Sequence, residues 1–231
     1  MDQKKWLSFL SNQPENESEN SKTAKIYSKP LYSCKKVLDV GCGEGITLSE
    51  LKKKGITAIG ITINKNDAKK VLEKKNNVVL GDMHELPFKT EFFDGVYSKD
   101  SFEHSFAPFV ASKEFSRVLK ENGILVLVMP EEDWLKEEYH FHYFTPFQIT
   151  SLLSKSNLFL EKASFNLFYD FYVFRKKAKK EKKRINLIEL KYFFWVVFRK
   201  ISKFFLKIYY FFLVILRKIS KPFLKIYFKT K

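Results

Sequence analysis

Only two cysteines, Cys34 and Cys42, occur in 231 residues. They stand eight positions apart across a segment that reads as a strand, so they are poor partners for each other. A disulfide framework is not indicated and a reducing compartment is expected. Long apolar runs are absent as well. The longest uncharged stretch in the C-terminal quarter, Ile208–Leu216, has nine residues, against the roughly 20 that a spanning helix needs. The opening Met-Asp-Gln-Lys-Lys-Trp carries no apolar stretch of signal-peptide length, so a cytoplasmic location is expected. Acidic residues nearly vanish after residue 174: Glu181 and Glu189 stand against 19 Lys and Arg.

What is present divides the same way. The chain has 42 Lys+Arg and 26 Asp+Glu, a net charge of +16, yet residues 1–174 hold 23 basic and 24 acidic groups. A uniform +16 would suggest nucleic-acid binding; here the whole excess belongs to the C-terminal appendage. A hydrophobic content of 45% argues against a largely disordered chain, and about 175 residues suffice for one domain with its own core. Three segments are expected. Residues 1–30 form a short apolar start, Trp6 to Leu10, and a polar linker over 11–23. Residues 31–174 form the domain, and residues 175–231 a basic tail.

Within the domain, short apolar runs alternate with polar helical stretches. Strands are expected at 37–40, 57–61, 78–80, 93–98 and 124–129, and helices at 45–54, 65–75 and 107–120. A further helix starts at Thr145, with Pro146 at its first position and Gln148 completing a capping box. Leu158–Phe165 and Tyr169–Phe174 read as a hairpin closing the sheet edge. The class is α/β, a three-layer sandwich with a mostly parallel seven-stranded sheet and helices on both faces.

The most informative stretch is Val37-Leu38-Asp39-Val40-Gly41-Cys42-Gly43-Glu44-Gly45. A strand runs into glycines at alternate positions and then into a helix, whose N-terminal N–H groups favour a polar ligand. A dinucleotide fingerprint would need its third glycine at position 46, which is Ile46, so nicotinamide and flavin readings weaken.

This loop resembles that of the class I, seven-stranded S-adenosylmethionine-dependent methyltransferases. Other stretches resemble the family too: Gly81-Asp82-Met83-His84-Glu85-Leu86-Pro87-Phe88 its adenine-holding segment, Phe92 to Ser98 with Phe102-Glu103-His104 its fourth strand and acceptor loop, Leu119 to Leu125 its turn into strand five, and Phe144-Thr145-Pro146 the late helix of its small-molecule branch. The resemblance covers about residues 35–174 and implies S-adenosylmethionine as cofactor. Asp39 would then meet the amino group of the cofactor's methionine part, with Gly41, Cys42, Gly43 and Gly45 giving backbone room. Asp82 would accept from the adenine amine and the Met83 backbone would meet the ring. Ser98 and Lys99 would border the methionine portion. The family's ribose-gripping carboxylate after strand two is missing. The matching Gly60-Ile61-Thr62-Ile63-Asn64 resembles the version in cyclopropane-fatty-acid-synthase-like and sterol methyltransferases. Thr62 and Ile63 are the expected contacts there, with Thr62 and Asn64 able to hydrogen-bond a ribose more weakly than a charge would. This hints at lipid-like acceptors.

Methyl transfer needs an aligned acceptor and, for many acceptors, a base. His104, after strand four, is the candidate catalytic base or acceptor orienter, with a packing role as the alternative. His140 and His142 alternate along an extended segment and are candidate substrate contacts. They lack further ligands for a metal, and none is expected. His84 reads as a surface loop residue.

Residues 185–221 contain neither Gly nor Pro. Phe198–Phe211 recurs as Leu216–Lys229, identical at ten of fourteen positions at an offset of 18, which is about five helical turns. At about 100° per residue, Arg199, Lys200, Lys203 and Lys207 and their repeats Arg217, Lys218, Lys221 and Lys225 share one arc of about 100°. A basic stripe on a wide aromatic and aliphatic face is expected at an anionic membrane surface through residues 185–229, which would make the protein a peripheral membrane protein. Packing on the domain or on another subunit is the alternative. The activity expected is methylation of a small-molecule, lipid or lipid-linked acceptor at that surface. The competing readings are a non-catalytic protein of the same fold using its tail for assembly, and a nucleic-acid methyltransferase. The latter lacks an Asn/Asp-Pro-Pro-aromatic loop at Ser98-Lys99-Asp100-Ser101, and no nucleic acid is expected.

Overall fold

The computed structural model describes residues 21–130, 141–165 and 169–177. The first 20 residues, His140 and the tail with its repeat lie outside them. Helix α1 (Ser21–Ser28) leads through a 3-10 turn (Lys29–Ser33) to β1 (Lys36–Val40), α2 (Ile46–Lys53), β2 (Thr57–Thr62), α3 (Lys65–Glu73) and β3 (Asn77–Leu80). After a long loop come β4 (Phe93–Lys99), a 3-10 turn (Phe102–His104), α4 (Pro108–Val118) and β5 (Leu119–Pro130). Helix α5 (Pro146–Ser154), β6 (Leu158–Phe165) and β7 (Tyr169–Lys176) complete the order.

Seven strands form one sheet in the order β3-β2-β1-β4-β5-β7-β6. The first five are parallel, and β7 runs antiparallel to both β5 and β6. The expected α/β class, seven-stranded sheet and closing hairpin are therefore observed. The order in which strands are added reverses between β1 and β4, and in such sheets ligands bind at the strand C-termini of that switch point.

Alternation along the strands fills two cores. Leu38 and Val40 of β1 join Leu125, Leu127 and Met129 of β5 with Phe115, Ile149 and Leu153 of α4 and α5. Val37, Tyr97, Val126 and Val128 face the other side with Leu48, Leu51 and Val71 of α2 and α3. Two glycines let elements close onto that second face. A Cβ at Gly60 would lie 2.6 Å from Cys42 Sγ, and one at Gly95 would lie 2.5 Å from Leu31 Cδ2. Both cysteines are free and buried.

Boundaries shift in three places. Residues 21–23, expected in the linker, open α1, because Ala24, Tyr27 and Ser28 share a face. Ala24 and Ser28 are buried, and the Tyr27 ring packs 5.7 Å from Tyr169 and 5.5 Å from Phe171. Strand β5 starts at Leu119, earlier than its apolar run, since Leu119 pairs with Phe93 before an irregularity at Asn122 (φ 60°). Strand β7 runs two residues past Phe174. The capping box at Thr145 is present: its side chain accepts from Gln148 N–H at 3.3 Å, and Gln148 Oε1 accepts from Thr145 N–H at 2.9 Å. Among the described residues, no helix is long and apolar enough to cross a membrane.

Candidate functional site

At the end of β1 the chain turns on three glycines with positive φ: Gly41 (72°), Gly43 (46°) and Gly45 (76°). Gly41 N–H and Cys42 N–H both donate to Ile61 O, at 2.9 and 3.3 Å, which fastens the loop to β2. Gly45 then caps α2. The direction a Cβ would take from Gly43 is open space for 4 Å. Here the backbone borders open space, at a helix N-terminus that favours polar or anionic groups. Asp39, almost fully buried, precedes the turn. Glu44 walls the loop from outside, held by Lys70 at 3.1 Å and Lys74 at 3.2 Å. These two lysines lower its carboxyl pKa. The Cys42 thiol points into the core against Gly60, where burial pushes its pKa far up. Of this expected contact, therefore, only the backbone is offered to a ligand.

The loop after β4 forms the facing wall. A Cβ at Gly41 would meet Ser101 Cβ at 2.4 Å, so the two loops are in direct contact. Ser101 Oγ donates to Val40 O at 2.9 Å and lies 2.6 Å from Ser98 Oγ. Ser98 is thus committed to joining the walls. Lys99, its side chain buried, ion-pairs with Asp100 and sits 4.6 Å above the Tyr169 ring. Asp100 takes a positive φ of 47°.

Glu103 is the residue that the sequence reading passed over. It is 1% exposed, and among the described residues neither carboxylate oxygen has a hydrogen-bond partner of ordinary geometry. Burial, then the Asp100 carboxylate, push its pKa well above the ordinary value, while Lys99 and the nearby Glu103 and Ser101 amides draw it back in part. A signal was available: an acidic residue flanked by Phe102 and His104 directly after a buried strand. His104 itself lies half-buried on the 3-10 turn. His142 comes to the same loop, its N–H donating to Glu103 O at 3.2 Å. Burial lowers the pKa of its ring, with the Ser105 backbone opposing. The structure therefore brings His104 and His142 to one loop.

The third wall lies past β2 and β3. Thr62 Oγ1 accepts from Asn64 N–H at 3.1 Å. Asn64 Oδ1 caps α3, accepting from Asn66 and Asp67 N–H at 2.9 and 3.3 Å. Its oxygen is thus occupied by the cap, which leaves Thr62 as the better-placed hydroxyl. Ile63 follows half-exposed, and Met83 packs partly on the first core. Asp82 Oδ1 accepts from His84 N–H at 3.0 Å and lies 2.6 Å from His84 Nδ1. His84, expected on the surface, has a side chain only 7% exposed, because Phe106 stacks on it at 3.8 Å. The far end of this loop is clamped by Arg117, which donates to Phe88 O and Leu86 O at 2.7 and 2.8 Å while paired with Glu114 at 2.7 Å. Among the described residues, no three His, Cys, Asp or Glu converge as a metal site.

Residues 38–127 match the family model of a methyltransferase domain. The chain is 36% identical over 90 residues to norajmaline N-methyltransferase of Rauvolfia serpentina, a match covering 35% of this chain and 31% of that one. It is 36% identical over 98 residues to a sterol 24-C-methyltransferase of Gibberella zeae, covering 38% of this chain and 26% of that one. The chain thus spans about a quarter to a third of the length of these curated relatives. The structure of 1,6-didemethyltoxoflavin-N1-methyltransferase of Burkholderia thailandensis, with S-adenosylhomocysteine bound, superposes with a TM-score of 0.56 at 17% identity. It covers 67% of this chain and 76% of that one, a likeness of fold.

Proposed function

We propose, starting from a domain that matches the methyltransferase family over residues 38–127 and takes the class I methyltransferase fold, that this protein is an S-adenosylmethionine-dependent methyltransferase. One observation carries the reading. At the switch point of the sheet, Gly43 faces open space beside the N-terminus of α2, the buried Asp39 stands in β1 before the turn, and Asp82, fixed by His84, follows β3. Such an arrangement suits a ligand with a cationic amine at one end and a ring amine at the other.

The residues present fit that cofactor. Asp39 would accept from its amino group, the Gly41–Gly45 backbone would admit its methionine part, Thr62 would bond a ribose hydroxyl, and Asp82 with Met83 would hold adenine. When bound, S-adenosylmethionine supplies a methyl group on a sulfonium. The chain's own contribution is to align the acceptor and exclude water. An acceptor that loses a proton would lose it at the loop after β4, to His104 Nδ1 or Nε2. His142 borders the same loop and would orient the acceptor.

We infer further that the acceptor is a small molecule, a lipid or a lipid-linked compound met at the cytoplasmic face of a membrane. Two features support this. The repeat within residues 185–229, read as a helix, would align eight basic residues on one stripe, and the Thr62 version of the β2 terminus resembles that of cyclopropane-fatty-acid-synthase-like and sterol methyltransferases. Calorimetric titration with S-adenosylmethionine tests the cofactor; absence of heat at millimolar ligand would overturn the reading. Transfer of labelled methyl to the lipid, protein and nucleic-acid fractions of the source cell then identifies the acceptor class. Label confined to nucleic acid would refute the lipid assignment.

A further inference from the structure

Asp82, His84 and Ser105 form a continuous chain between the loop after β3 and the loop after β4. Asp82 Oδ1 and His84 Nδ1 are 2.6 Å apart, and His84 Nε2 and Ser105 Oγ are 2.7 Å apart. Ala107 N–H points at the same Nε2 from 3.4 Å. An N–H can only donate, so Nε2 accepts, the ring proton sits on Nδ1 facing Asp82, and the Ser105 hydroxyl donates to Nε2. Every group in the chain therefore has one direction. It resembles the carboxylate–imidazole–hydroxyl relay of hydrolases, but Ser105 is 0% exposed and unreachable as a nucleophile. The arrangement is suited to holding two loops together.

Those loops have different duties. Asp82 lies on the loop after β3, where the proposed function places adenine. Ser105 lies after β4, two residues from Glu103 and next to His104, on the loop proposed to meet the acceptor. The imidazole ring bridges them beneath Phe106. We propose that His84 is a positioning residue that couples cofactor binding at the Asp82 loop to the order of the acceptor loop 101–107. The proposal rests on the functional reading for the identity of the ligand. The mechanical link rests on the hydrogen bonds alone, and the experiment separates the two.

Hydrogen exchange of residues 101–107 without ligand reads the link directly. Asp82→Asn, which replaces the carboxylate that accepts the imidazole proton, is expected to speed exchange there several-fold, as is His84→Ala. Exchange unchanged in both would overturn the proposal whether or not any cofactor binds. The second measurement adds S-adenosylmethionine. In wild type it should slow exchange at 101–107. His84→Ala should bind it roughly tenfold more weakly or worse, as loss of a charged hydrogen bond predicts. His84→Asn, whose amide can still donate to Asp82 but falls short of Ser105, should recover most of the affinity while losing the slowing. Ser105→Ala should behave like His84→Asn. A purely structural histidine would lose affinity and exchange protection together in all three variants, and that result would refute the coupling. If wild type binds no cofactor while Asp82→Asn still loosens 101–107, the functional reading falls and the link stands.

Discussion

Replacing Gly41 or Gly43 by alanine should separate stability from binding. Both have left-handed φ, 72° and 46°, and a side chain there costs about 1–2 kcal/mol. At Gly41 the new methyl would also lie 2.4 Å from Ser101 Cβ and 2.8 Å from Ser101 Oγ. Ser101 has little room to retreat, because its hydroxyl is bonded to Val40 O and Ser98 Oγ. Overpacking of this kind adds about 1–3 kcal/mol, for a total of about 2–5 kcal/mol. Each kcal/mol lowers Tm by about 2–4 °C in a domain of this size, so Gly41→Ala should lose roughly 4–20 °C. At Gly43 the methyl meets nothing within 4 Å, so only the φ cost applies, roughly 2–8 °C. That same methyl enters the open space, and S-adenosylmethionine affinity should fall at least about tenfold, equivalent to about 1.4 kcal/mol. Thermal denaturation and calorimetric titration on the same preparations give both numbers. A Gly43→Ala protein that binds the cofactor as wild type does would refute this loop as the cradle. A Gly41→Ala protein with unchanged Tm would refute the contact between the walls.

Glu103 has a native pKa raised above its ordinary 4.5, so the folded state holds its proton longer than the unfolded chain does. Stability should therefore fall by about 1.4 kcal/mol per pH unit as pH rises from about 4.5 to the native pKa; Glu103→Gln should flatten that slope in Tm-versus-pH scans, and identical slopes would contradict the buried, protonated carboxyl. Thr145→Ala removes the capping box of α5 and should cost about 1 kcal/mol in urea denaturation. Deleting residues 178–231, beyond the last strand, should release the protein from anionic liposomes in a sedimentation assay and leave the cofactor titration unchanged. Undiminished sedimentation would refute the membrane role of the tail.

The sheet was legible because its strands carry continuous or alternating apolar runs, and the glycine loop because its spacing is constrained by backbone turning. Helix α1 was not legible. SKTAKIYS is polar by composition, its buried residues are the small Ala24 and Ser28, and the partners of its Tyr27 ring, Tyr169 and Phe171, are about 145 residues away in sequence. The roles expected of Asp39, Thr62 and Asp82 come from resemblance and position. The direction of the Cys42 thiol did not, since it depends on the missing Cβ at Gly60. His84 was misjudged for a similar reason. Its neighbours Asp82 and Glu85 mark a loop, but Ser105 and Phe106, which bury it, lie about 20 residues on.

Departures from local preference are also distributed unevenly over the fold. Gly55, Lys75 and Asn157, with positive φ, follow α2, α3 and α5 and end those helices as C-terminal caps commonly do. Glu91 and Asn122, also with positive φ, occupy turns beside β4 and within β5. Gly41 and Gly43 after β1 and Asp100 after β4 end no helix, and they lie where β1 and β4 part. Glu103 sits beside them, its buried carboxyl without an ordinary hydrogen bond among the described residues. A buried carboxyl of this kind lowers stability, and an apolar residue of similar size would fill its place at less cost. A left-handed Asp100 and the unfavourable burial of Glu103 on one loop are what a site that gives up stability for chemistry would show. The bridge from Asp82 through His84 to Ser105 ends on that same loop, so the loop proposed to hold adenine is fastened next to His104, the residue to which the acceptor's proton would pass.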